Sequence, residues 1–148
     1  MAAPVYGRQY VRFAESFQVA QGTAVNEFRV VELTAAPGTV PLLVQQSNGG
    51  ESVGVAQFTM NDNVPATGFA TDETRMLTVA TSGLLLISAE AGANVPVAAD
   101  IGTALEVNAN GQAVTNAAGA AVTVNGTTPI IREVLTQGGE DYVLVSFS

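Results

Sequence analysis

Leu77-Thr78-Val79-Ala80-Thr81-Ser82-Gly83-Leu84-Leu85-Leu86-Ile87-Ser88 decides the fold class. Together with Ser52-Val53-Gly54-Val55-Ala56-Gln57 upstream, it forms short valine- and leucine-rich runs broken by single glycines and separated by a polar segment. That is strand and turn chemistry. Two strands are expected here, Met76 to Ala80 and Leu84 to Ala89, on either side of Ser82-Gly83. Almost no side chain in the stretch can do chemistry, so the product of this chain is expected to be a shape and a surface.

Working outward, the same grammar recurs. Phe28-Arg29-Val30-Val31-Glu32-Leu33 and Pro41-Leu42-Leu43-Val44-Gln45 are strand candidates, followed by Asn48-Gly49. Asn-Gly between apolar runs is the strongest short hairpin signal, because a type I′ turn needs positive φ at both central residues. A two-residue turn there sets Val44 opposite Val53. Asn61 to Thr74 is a polar connection, and Gly92 to Asp100, with Pro96, is a loop or edge. Thr103 to Val107, Asn110-Gly111 and Gln112 to Thr115 form a second hairpin, with Val107 opposite Val114. Ala117 to Ala121 is a small-residue loop. A third Asn-Gly pair, Asn125-Gly126, follows Ala121 to Val124, and Ile130 to Leu135 and Tyr142 to Phe147 complete the strands. The expectation is an all-β body over residues 27–148, preceded by an extension over residues 1–26.

With 148 residues, one domain of this size buries roughly 68–70% of the surface its unfolded chain exposes. Cysteine, histidine and lysine are all absent. Disulfides, thiolate metal sites, Ser-His-Asp and Cys-His catalysis, P-loops and Schiff bases are therefore excluded. The net charge is −8, from thirteen acids and five arginines, which disfavours a phosphate backbone as partner. Arg8, Arg12 and Arg29 are balanced by Glu15, Glu27 and Glu32, so the negative excess lies after Glu32. The first residues lack the pattern of a secretory signal, and no window reaches the length of a membrane span. Neither membrane nor small-molecule substrate is expected.

Few residues remain for catalysis. Asp72-Glu73 and Glu140-Asp141 are adjacent pairs, and neighbours on a strand point to opposite faces, so neither aims two carboxyls at one bond. Asn61-Asp62-Asn63 opens like a calcium loop but lacks the later glycine and the bidentate glutamate. Ser82-Gly83 lacks the G-x-S-x-G frame and any histidine to activate the hydroxyl. No catalytic residue, metal or cofactor is expected, and the chain is read as not an enzyme.

The extension is where a contact is expected. Tyr6, Tyr10, Phe13 and Phe17 are spaced four, three and four apart, so on a short helix they form one stripe, with Arg8 and Arg12 beside it. Such a stripe either packs on its own subunit or reaches a neighbour, since aromatic residues and arginine are enriched in interface hot spots.

From about Phe17 onward the order of elements resembles the head-decoration, or capsid cement, proteins of tailed bacteriophages. The similarity rests on Phe28 to Leu33, Glu51 to Gln57, Leu77 to Leu85, the run Gly102-Thr103-Ala104-Leu105-Glu106-Val107-Asn108-Ala109-Asn110-Gly111-Gln112-Ala113-Val114, and Asp141-Tyr142-Val143-Leu144-Val145. The chain departs from the pattern before residue 17 and in the longer connection from Asn61 to Thr74. The resemblance implies a small β-barrel or β-tulip body, no catalytic residues, and a homotrimer on the outer surface of a virion assembled in the host cytoplasm; the extended or short helical N-terminal arm is this chain's own addition to it. Its partner would be the major capsid protein, bridged between capsomers. On this footing Tyr6, Arg8, Tyr10, Arg12, Phe13 and Phe17 are the expected capsid or intersubunit contacts. The alternative is a tail, fibre or host-surface recognition module that uses its loops.

Overall fold

The computed structural model describes residues 9–19, 23–34, 43–60 and 76–148. The described chain is all-β, with eleven strands and one short 3-10 helix at Ala98–Asp100. The strands are β1 (Tyr10–Val19), β2 (Val30–Leu33), β3 (Leu43–Gln46), β4 (Gly50–Glu51), β5 (Gly54–Ala56), β6 (Met76–Ser88), β7 (Glu106–Val107), β8 (Ala113–Val114), β9 (Ala120–Thr123), β10 (Ile130–Gln137) and β11 (Glu140–Phe147). Seven form one sheet in the order β1-β3-β2-β5-β6-β11-β10, and β1 also pairs with β6, so five of them close into a ring. The remaining four form a small sheet, β4-β9-β7-β8.

Alternation along the strands fills two main cores. Val19, Val25, Val31, Val44, Leu77 and Val79 fill the ring. Leu85, Ile87, Val143, Val145 and Phe147 pack instead with Leu105, Val107 and Val122, between the large and small sheets. On the outer face of β6 and β11, Phe28 meets Tyr142 edge-on at a centroid distance of 6.0 Å, beside Leu86 and Leu144.

The long strand β6 serves both cores. Even-numbered Ala80 belongs to the inter-sheet core, whereas beyond residue 81 that core is served by odd-numbered Leu85 and Ile87. The parity changes across Thr81, where the register with β1 skips from Ser82 to Ala80. A bulge of this kind inserts one residue and swaps every later side chain to the other face.

The two strands expected around Ser82-Gly83 are thus one continuous strand. Gly83 does not turn the chain; its φ is +129°, and a Cβ there would overlap the Tyr10 carbonyl oxygen. Glycine is needed for the close passage of β1 across β6.

The Asn-Gly pairs have three different outcomes. Val124 and Thr127 exchange N–H···O bonds of 2.8 and 3.0 Å around Asn125 (φ 52°) and Gly126 (φ 75°), the expected two-residue turn. At Asn110-Gly111 the register is one residue from expectation, with Val107 opposite Ala113 and Glu106 opposite Val114. The reason is Asn108, whose Oδ1 accepts the N–H groups of Asn110 and Gln112 and closes a wider loop. Asn48-Gly49 makes no hairpin at all. Val44 pairs with Leu33 and not with Val53, because β2 lies between β3 and β5. After Gly49, which packs against Ala120, the chain enters the small sheet as β4, parallel to β9.

Of the two forms expected for the extension, extended or short helical, its described part takes the extended one. From Tyr10 to Val19 it is a strand and not a helix, paired along β6 from Met76 to Leu84 and with β3 at Gln18 and Val19. The pairing therefore runs across the boundary drawn between residues 26 and 27. Asn61 to Thr74, including Asn61-Asp62-Asn63 and Asp72-Glu73, lies outside the described residues.

Candidate interaction site at strand β1

Two glutamines fix the start of β1. Gln9 Oε1 accepts the Leu86 N–H at 3.0 Å, and its Nε2 donates to Gln57 Oε1 at 2.8 Å. From there β1 runs along one edge of β6, but residues 10–16 are all exposed. A strand packed on one face alternates between buried and exposed positions, so this segment lacks cover on both faces. Its outer edge meets β3 only at Gln18 and Val19. Among the described residues, the backbone groups of Tyr10 to Ser16 that face away from β6 have no strand partner.

The side chains on this segment are large. Tyr10 is 68% exposed and Phe13 59%. The register skips Arg12 between Val11 and Phe13, a second bulge, and the Arg12 guanidinium lies 5.4 Å from the centre of the Phe13 ring. Beneath them is a groove of about 660 Å³, whose walls include Phe13, Phe17, Leu33, Val53 and Val124. Glu51 stands in the facing wall, its carboxylate accepting the Thr123 hydroxyl at 2.8 Å and the Asn125 N–H at 2.7 Å. These bonds hold its pKa below the usual carboxylate value, the Thr123 hydroxyl contributing most.

Of the six expected contact residues, Tyr10, Arg12 and Phe13 share an exposed strand segment. Phe17 is half-buried and packs against the ring core, so it anchors the strand. Tyr6 and Arg8 lie outside the described residues. Sequence reasoning did not pick out Glu15, Leu33 or Val53 as parts of this site. Exposed Glu15 three residues after Arg12 was the available signal in β1; the other two are brought in by tertiary packing alone.

The other polar groups have structural partners. Glu140 accepts the Tyr142 hydroxyl at 2.8 Å and Asp141 the Thr136 hydroxyl at 2.6 Å. Ser82 is buried, with its hydroxyl 3.4 Å from the Phe147 carbonyl oxygen. Asp100 is buried. It accepts the Val97 N–H at 2.8 Å, the Thr115 hydroxyl at 2.8 Å and the Asn116 N–H at 3.1 Å. Burial alone would raise its pKa, but the three hydrogen bonds outweigh it and the net shift is downward. Arg29 lies in a smaller cleft of about 350 Å³ beside Glu140 and donates to the Asn110 carbonyl at 3.1 Å. Burial lowers its pKa, with Glu140 opposing. No group of three or more metal-ligating side chains occurs among the described residues. No described helix is long and apolar enough to cross a membrane.

By fold and site, then, this is an all-β chain with an exposed aromatic segment on β1. No protein-family model matches it, and no curated protein matches it either.

Proposed function

We propose that the protein is a structural component of a virion, a decoration protein that binds the outer surface of a tailed-phage head and bridges neighbouring capsomers. The observation that carries the proposal is the exposed segment of β1, with Tyr10 and Phe13 outward and Arg12 between them. An open strand edge offers main-chain hydrogen bonds to an extended segment of another protein, and aromatic and arginine side chains supply anchoring contacts. On the shell, copies matching a local threefold would gain avidity from simultaneous contacts. The sequence-order resemblance to cement proteins supports the same reading.

The test is binding of the purified protein to tailed-phage heads that lack it, with copies per head counted by electron microscopy. Removing residues 1–17 would also remove most of a sheet strand, so point variants are the cleaner probe. Tyr10→Ala combined with Phe13→Ala is expected to lower occupancy at least tenfold while leaving the fold intact. Unchanged occupancy refutes the role of β1. Labelling confined to the tail refutes the decoration reading in favour of a recognition module.

A further inference from the structure

We infer that Asn48 is a site of spontaneous modification, where the side-chain amide closes on the Gly49 nitrogen and converts to aspartate and isoaspartate in the folded chain. The chemistry involves this chain and water alone, independently of the virion reading.

The step balances without any other reactant. The Gly49 nitrogen attacks Asn48 Cγ, a carbon–nitrogen bond forms, and the Nδ2 group leaves as ammonia with the proton that Gly49 gives up. Water then opens the cyclic imide at either carbonyl, yielding aspartate, or isoaspartate with an extra main-chain carbon. A following glycine favours the attack because no Cβ shields its nitrogen. The reacting atoms must still reach a near-attack geometry. That requires rotation about the asparagine Cα–C bond, which swings the next peptide with it.

The fold opposes this rotation at two of the three Asn-Gly pairs. At Asn125-Gly126, Val124 and Thr127 exchange bonds across the turn, and the Asn125 N–H donates to Glu51 at 2.7 Å. At Asn110-Gly111 both residues are tied at both ends. The Asn110 N–H donates to Asn108 Oδ1 and its carbonyl accepts Arg29, while the Gly111 N–H donates to the Asn108 carbonyl and the Gly111 carbonyl accepts the Val30 N–H.

Asn48 is held far less. It is exposed, and among the described residues neither its side chain nor its backbone makes a hydrogen bond. The peptide after it has one bond, from the Gly49 N–H to Ser47 Oγ at 3.1 Å, which sets an acceptor on the proton that the step removes. Two glycines follow in succession, with open space beside Gly50, and such residues absorb a backbone rotation at least cost. Conversion would place a new carboxylate in the loop that leads to Glu51, whose bonds to Thr123 and Asn125 tie β4 to the small sheet.

The test is incubation of the full folded chain in mildly alkaline buffer made with oxygen-18 water, followed by peptide mapping of the label and of isoaspartate at each pair. A parallel sample of the same chain in denaturing urea reports the rates set by local sequence alone. In urea the three pairs should convert within about threefold of one another, whereas in the folded chain Asn48 should lead by at least about tenfold, because bonded segments must first open. Asn110 or Asn125 keeping pace with Asn48 in the folded chain overturns the proposal. So does an Asn48 that stays unlabelled there while it converts in urea.

Discussion

Replacing Gly83 with alanine tests whether β1 is held by close backbone passage. Gly83 has φ +129°, and a Cβ would overlap the Tyr10 carbonyl oxygen and lie 2.8 Å from the Arg12 nitrogen. Holding an L-residue in such a conformation costs roughly 1–3 kcal/mol. The overlap also pushes β1 away where Tyr10 and Val11 pair with Leu84 and Gly83, losing one or two strand hydrogen bonds at about 0.5–1.5 kcal/mol each. The expected total is about 4 kcal/mol. For a domain of this size that lowers Tm by roughly 8–16 °C. Calorimetry reads the global effect, and amide hydrogen exchange reads the segment, where Tyr10 to Phe13 should lose protection before the rest of the sheet. A variant that melts within about 2 °C of wild type, with protection of those residues unchanged, refutes the argument.

Three further perturbations separate core, latch and surface. Ile87→Ala, at a fully buried position between the sheets, should cost about 2–5 kcal/mol in urea unfolding. Asp100 has a folded pKa below its unfolded value, so its contribution is complete above the unfolded pKa and is lost as pH falls through the folded one. Acid titration of stability below about pH 4 should therefore be shallower in Asp100→Asn, whereas Asp100→Ala, which strands three donors, should lose about 3 kcal/mol at neutral pH. Tyr10→Ala and Phe13→Ala should each leave stability within about 0.5 kcal/mol, since both rings are mostly exposed.

The all-β fold was legible because short valine- and leucine-rich runs are broken by single glycines and Asn-Gly pairs, and the Asn125-Gly126 turn follows from its own positive φ values. The other two Asn-Gly pairs went astray for two different reasons, one local and one not. Asn108 recruited two amides into a wider loop, and a strand from elsewhere came between β3 and β5. The aromatic run at residues 10, 13 and 17 looked helical because its spacing mimics helical turns. In a strand the even step from Phe13 to Phe17 keeps one face, and the extra residue at Arg12 absorbs the odd step from Tyr10. Bulges of this kind leave no mark in composition, so the segment's exposure was legible as a candidate contact while its conformation was not. The groove beneath it depends on Leu33, Val53 and Val124, which only tertiary packing assembles.

The antiparallel pairing of β1 with β6 has a mechanical consequence. The two strands are bonded along nearly the whole length of β1, from Tyr10 to Gln18. A pull directed along β1 loads those bonds together as a shear plane, whereas a pull across the sheet would open them one after another like a zipper. Because β6 continues beyond the ring to pair with β11, the load passes from the ring into the second core. The chain is built to carry tension along the strand that it exposes.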